Sequence, residues 1–231
     1  MSKKSLLAIG LTALLPLACY FLVDYFGTRA VKMPPRYFFD SVVTRTDYGK
    51  TYEDTIWHKV RNFTLTNQLG QKVSLSDLDG KIIVADFFFT SCPSICPALT
   101  RNMKRLQDAF NKTDTVVRFL SFSVDPVRDS AERLNRYAQK YGINNDTWWL
   151  LTGDKDEIYD IAKKEFKANI ADTGVDTNFI HTEHFFILDK ERVVRGWYKG
   201  LDSLHLNQLA DDVVLLMLEK DKKKKRNLFR K

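Results

Sequence analysis

The chain has 231 residues, 44% of them hydrophobic and 13% aromatic, which suits one domain with a sizeable core plus appendages. Its net charge of +7 is not spread over the body: residues 1–36 carry +4 and residues 219–231 carry +6, leaving −3 between them. A nucleic-acid binder places its basic stripe on the folded face, so that class is set aside. With three cysteines, one of them Cys19 in the apolar N-terminal stretch, so is a disulfide scaffold.

Ser5 to Val23 runs 19 residues without a charge behind Lys3-Lys4. That nearly matches the ~20 residues that span a bilayer, and the flanking lysines favour a cytoplasmic N-terminus. Residues 1–24 therefore read as a transmembrane anchor, with the rest outside the cytoplasm, on the periplasmic side or its equivalent. A cleaved signal peptide and lipidation at Cys19 are the competing readings. Residues 25–56, with Pro34-Pro35 and no clean period, read as a tether, and the domain runs over 57–218. Val60–Leu65 and Gln71–Leu75 form an expected hairpin around Asn67-Gln68-Leu69-Gly70.

An apolar strand follows over Ile82–Phe89, then Thr90-Ser91-Cys92-Pro93-Ser94-Ile95-Cys96-Pro97. Leu99, Met103, Leu106 and Phe110 give the next segment helical spacing. Val116–Val124 is a strand, and Asp129 or Ser130 caps a helix that Gly142 stops. Trp148–Leu151 is a strand, a helix runs from Asp154 to Phe166, and Ala168–Ile180 is a loop. His184–Leu188 and Val193–Tyr198 are strands joined by a turn, Ser203–Leu218 is the last helix, and 219–231 is a basic tail. Strands alternating with helices and ending in a hairpin predict an α/β fold with a mixed central sheet.

The chemistry lies at Cys92 and Cys96. On a regular helix, positions i and i+4 hold Cβ atoms ~5–6 Å apart, whereas a disulfide wants ~3.8 Å. The pair closes a disulfide only if the turn adjusts locally, while a metal between two thiolates tolerates the wider gap. Pro97 fits a first helical turn, so both thiols face the positive end of the helix, which favours thiolate. Two thiolates suit Cu(I), Zn(II), or Cu(II) with added nitrogen. The candidate third ligands are His58, His181, His184 and His205.

Phe88-Phe89-Thr90-Ser91-Cys92-Pro93-Ser94-Ile95-Cys96-Pro97 resembles the F-x-x-T-x-C-P-x-x-C-P signature of the SCO/SenC family. Ser123 to Ser130, reading S-V-D-P-V-R-D-S, is similar to its S-V-D-P-x-R-D-[ST], and Trp148 to Gly153 to its W-x-x-L-T-G. His181-Thr182 stands where the family has its metal-binding histidine, although Ile180 replaces the Asp usually found before it. The resemblance spans about residues 60–218. It implies a thioredoxin-like fold and one copper held by Cys92, Cys96 and His181. It also implies delivery of that copper to the copper A centre of cytochrome c oxidase, or thiol reductase action on the copper-receiving subunit, which is the partner in either case.

The rival reading is a membrane-anchored thiol-disulfide oxidoreductase that uses Cys92 and Cys96 as a redox pair. Asp86 supports it, six residues before Cys92, where thioredoxins carry a buried acid. Against it, three residues separate the cysteines rather than two, and His181-Thr182-Glu183 carries no proline. The loop Asn169–Phe179 is expected to move over the metal.

Overall fold

In the computed structural model, residues 12, 14–23, 32–47, 49–111, 115–168, 171–172, 179–180 and 182–219 are described. The chain divides into two compact units, Met1–Met33 and Pro34–Lys231. In the first, Thr12 and residues 14–23 are helical, with Leu14, Leu15, Tyr20, Phe21 and Val23 exposed. Among the described residues no helix is long and apolar enough to cross a membrane. The spanning helix expected over Ser5–Val23 therefore does not appear as such, most of its first half lying outside the described residues. The basic tail beyond Glu219 lies outside them too.

The second unit opens on a hairpin, β1 (Phe39–Asp47) with β2 (Lys50–Trp57), in antiparallel register from Phe39–Trp57 to Asp47–Lys50. Most of this stretch was expected to be tether. It has no apolar period because most of β1 and half of β2 are exposed. Its base is tied down: His58 bonds Asp40 at 2.8 Å and Glu165 at 3.1 Å, and Phe38 stacks on Trp197 at 5.9 Å.

The remaining elements are β3 (Thr64–Asn67), β4 (Lys72–Ser74), a 3-10 turn at Leu75–Leu78, β5 (Ile82–Phe88), α1 (Cys96–Ala109), β6 (Val117–Ser123), α2 (Ala131–Tyr141) and β7 (Trp148–Thr152). After them come α3 (Lys155–Asp160), a π-turn at Ile161–Glu165, β8 (Ala171–Asp172), β9 (Phe179–Ile180), β10 (His184–Leu188), β11 (Val194–Lys199) and α4 (Ser203–Leu218). The helix expected from Asp154 to Phe166 is thus an α-helical turn and a half that widens into a π-turn, and the loop before His181 contains the small β8–β9 ladder.

Among the described residues the central sheet has seven strands in the order β11-β10-β5-β6-β7-β3-β4. β5, β6 and β7 run parallel, while β10 and β3 join them antiparallel. The sheet is mixed, as expected, and helices cover both faces. β5 is buried throughout, which is why its sequence reads as a continuous apolar run. Alternation puts Phe87 on one face, against Phe122, Phe166 and Phe186. Asp86 and Phe88 point to the other, where Phe88 meets Tyr137 of α2 at 5.4 Å.

Candidate functional site

β5 delivers the chain to the site. After Phe88 the backbone turns, with the Cys92 N–H on the Phe89 carbonyl at 3.3 Å, and enters α1 at Cys96. Ile95 stands at the cap position but supplies no side-chain acceptor, and Pro97 occupies the first turn. The orphan N–H of Cys96 points instead at Cys92 Sγ, 3.4 Å away. One cysteine therefore caps the helix that begins with the other. A helix N-terminus offers partial positive charge and free N–H groups, and both favour an anion there.

The two thiols are free and buried, yet they differ in character. Burial opposes the Cys92 thiolate, but hydrogen bonds from the Cys96 thiol and from the Cys96 and Ser94 N–H groups outweigh it, so its pKa lies below the ordinary thiol value. For Cys96, burial pushes the pKa well up, and the bond to Cys92 and the Cys92 and Asp86 charges push the same way. Cys92 is the ready nucleophile and Cys96 the reserved one. The Asp86 carboxyl is fully buried. Burial raises it to about 7 against a hydrogen bond from Ser121, and its Oδ1 has no hydrogen-bond partner.

The loop before Cys92 is held from the next helix. Asp129, wholly buried, accepts from the Thr90 N–H at 3.0 Å, from the Thr90 hydroxyl, and from Ser123 Oγ at 2.6 Å. Arg133 donates to Thr90 Oγ1 at 2.7 Å and to Ser91 Oγ at 3.2 Å, and lies 3.6 Å from Asp129. Of the two residues expected to cap α2, Ser130 does so, accepting from the Arg133 N–H, while Asp129 grips the cysteine loop. Sequence reasoning missed this because Thr90 and Asp129 are far apart in sequence. The similarity of Ser123–Ser130 to a family motif was the available signal. Asp125, also buried, lies 3.5 Å from Arg128.

The histidines divide. His181, the expected third ligand, lies outside the described residues. β10 runs antiparallel to β5, with Phe186 opposite Ala85 and Leu188 opposite Ile83. The start of β10 is therefore at the sheet edge where β5 enters the cysteine loop. Just before that start, the Glu183 carbonyl accepts the Gly200 N–H at 2.8 Å, and the Gly200 carbonyl accepts from Asn102 of α1 at 2.7 Å. His184, half-buried and lowered in pKa by burial, has Nδ1 on Thr182 Oγ1 at 3.1 Å. His58 spends both ring nitrogens on carboxylates, and His205 accepts from the Lys199 N–H. Among the described residues no three His, Cys, Asp or Glu side chains gather as a metal cluster. Thus none of these three histidines joins the cysteine pair.

The SCO1/SenC family model matches residues 54–217. The SCO1 protein homolog of Bacillus subtilis is 35% identical over 166 residues, covering 71% of this chain and 86% of its own. The structure of BsSco, a member of the Sco family of cytochrome c oxidase assembly proteins with a disulfide switch, superposes with a TM-score of 0.62 at 36% identity, over 71% of this chain and 96% of that one. Arabidopsis thaliana ScoI with copper bound superposes with a TM-score of 0.58 at 25% identity, over 69% and 98%. The mixed sheet with helices on both faces accords with the thioredoxin-like fold expected of such proteins. On the extent of the family match and of the similarity to the Bacillus subtilis homologue, the chain belongs to the SCO1/SenC family.

Proposed function

We propose that this chain binds one copper ion through Cys92, Cys96 and His181 and passes it on as cargo during assembly of the copper A centre of cytochrome c oxidase. The observation that carries the reading is the pair itself: two reduced thiols in hydrogen-bond contact at a helix N-terminus, one of them biased toward thiolate. Such a donor set suits a soft ion, and a neighbouring imidazole extends it to Cu(II). Three ligands leave a coordination position through which an acceptor's thiolates attack. The copper carried by a Sco relative of the same fold supports the choice of metal. Anchoring by the apolar segment Ser5–Val23, with the domain outside the cytoplasm, belongs to the same proposal and is supported by the exposed leucines and aromatics of residues 14–23.

Anaerobic titration of Cu(I) into the full-length chain tests it. One equivalent is expected to bind the wild type and none to bind Cys92→Ala, Cys96→Ala. His181→Ala is expected to lose Cu(II) affinity while thiol-disulfide exchange survives. Unchanged copper binding by the double cysteine variant overturns the proposal.

The opposed pKa shifts of Cys92 and Cys96 favour a second reading, reduction of a partner's disulfide. Cys92 thiolate attacks one partner sulfur, forming a mixed disulfide and releasing the other as thiolate. Cys96 then gives up its proton and attacks Cys92 Sγ. The partner leaves as a dithiol, and a Cys92–Cys96 disulfide remains. Asp86, whose charge acts on Cys96, is available to take that proton. The readings are compatible, since an acceptor's cysteines must be reduced before they take copper.

A further inference from the structure

We propose that Asp129 and Arg133 form a positioning clamp on Thr90-Ser91 that fixes where Cys92 Sγ stands over the start of α1, and so sets the copper affinity of the pair; this rests on the copper reading above. The clamp reaches the loop at three points over the two residues just before Cys92: the Thr90 N–H, the Thr90 hydroxyl and the Ser91 hydroxyl. It is anchored on the sheet through Ser123 Oγ at the end of β6, the strand paired with β5 through Phe88–Ser123. Cys92 is held from behind by this frame, while its sulfur faces the Cys96 N–H.

An ordinary capping role does not account for Asp129. Ser130 Oγ supplies the α2 cap, and among the described residues the side-chain partners of Asp129 lie on the loop, on the sheet end or on Arg133. Burying a carboxylate is costly unless it is paired and hydrogen-bonded, and here the compensating groups belong to the cysteine loop. Changing a group hydrogen-bonded to a metal ligand typically costs about 10- to 100-fold in metal affinity. Asp129 and Arg133 act one step further out, through the two residues before Cys92, which puts the expected loss at the low end of that range.

The test is Cu(I) affinity of the full-length chain in detergent, by anaerobic competition with bathocuproine disulfonate, for four variants. Asp129→Asn keeps the size of the side chain and removes its charge. Arg133→Gln, whose head group is partly exposed, breaks the same clamp without placing a new group in the core. Ser130→Ala weakens the same helix through its cap and leaves the loop contacts alone. Cys92→Ala, Cys96→Ala reports on the underlying reading. The clamp predicts an affinity loss of about 10-fold for Asp129→Asn, a loss in the same direction for Arg133→Gln, and wild-type affinity for Ser130→Ala. Cysteine-dependent binding that is unchanged in both clamp variants overturns the clamp alone, as does an equal loss in Ser130→Ala. Binding that survives in the double cysteine variant overturns the copper reading instead.

Discussion

A carboxyl group in the middle of a strand buried on both faces works against the fold, and Asp86 is such a group. Its folded pKa is about 7 against an ordinary 3.8, burial being the cause and the Ser121 hydrogen bond only a partial offset. A raised acid keeps its proton in the native state after the unfolded chain has lost it. Between about pH 4 and pH 7 the native state binds more protons, so stability falls as pH rises through that window and levels off above it. The full penalty at neutral pH is on the order of 4 kcal/mol. Asp86→Asn removes the titration. Any cost of burying its amide does not change with pH, so the variant should gain on wild type as pH rises. Melting temperatures from pH 4 to pH 8 in the metal-free chain check this, and parallel curves would refute it.

At the scale of elements, Gly200 shows how tightly the site is framed. A Cβ built there would stand 2.5 Å from Leu99 Cδ2 and 2.8 Å from Phe185 Cζ, and both side chains are buried with nowhere to retreat. Gly200 lets the end of β11 close on α1, and its backbone links Glu183 to Asn102. Gly200→Ala should push these elements apart and cost about 1–3 kcal/mol, read as a lower denaturant midpoint at unchanged slope. Neither the contact nor its consequence can be seen in the sequence, where nothing marks Gly200 between the last strand and the last helix. What could be read there was periodic: β5 as an apolar run, α1 from Leu99, Met103 and Leu106, and β10–β11 as a hairpin. The β1–β2 hairpin was missed because its strands are exposed on most of their length and so leave no alternation of apolar and polar residues. Of the site, Cys92 and Cys96 were legible from spacing and from Pro97. The Asp129 grip on Thr90 was not, because a long-range pairing of polar groups has no period. His181 rests on resemblance alone.

For the whole molecule, the place where the folded body begins decides which fragment behaves like the intact protein. Sequence composition puts that start near residue 57, after the tether. The second compact unit begins at Pro34 instead, and a buried arginine ties that entrance to the body. Arg195, 3% exposed in its side chain, pairs with Asp189 at 2.9 Å and with Glu219 at 2.7 Å. It also donates to the Pro34 carbonyl at 2.6 Å and the Pro35 carbonyl at 3.3 Å. One guanidinium thus joins the entrance of the chain, the β10–β11 turn and the end of α4. Tyr37 adds its ring against Trp197 at 4.6 Å and its N–H on the Val194 carbonyl. A fragment beginning at Met33 keeps all of these groups and should melt with the full-length chain while remaining in solution without detergent. One beginning at Phe39 leaves Arg195 donors buried without their proline carbonyls, at a cost of about 1–3 kcal/mol. It should unfold at lower denaturant, and Arg195→Met should narrow the gap between the two fragments, because no donor is then left to orphan. Equal stability of the two fragments would show that Pro34–Phe38 is a passive strap, and that the body begins where the hairpin does.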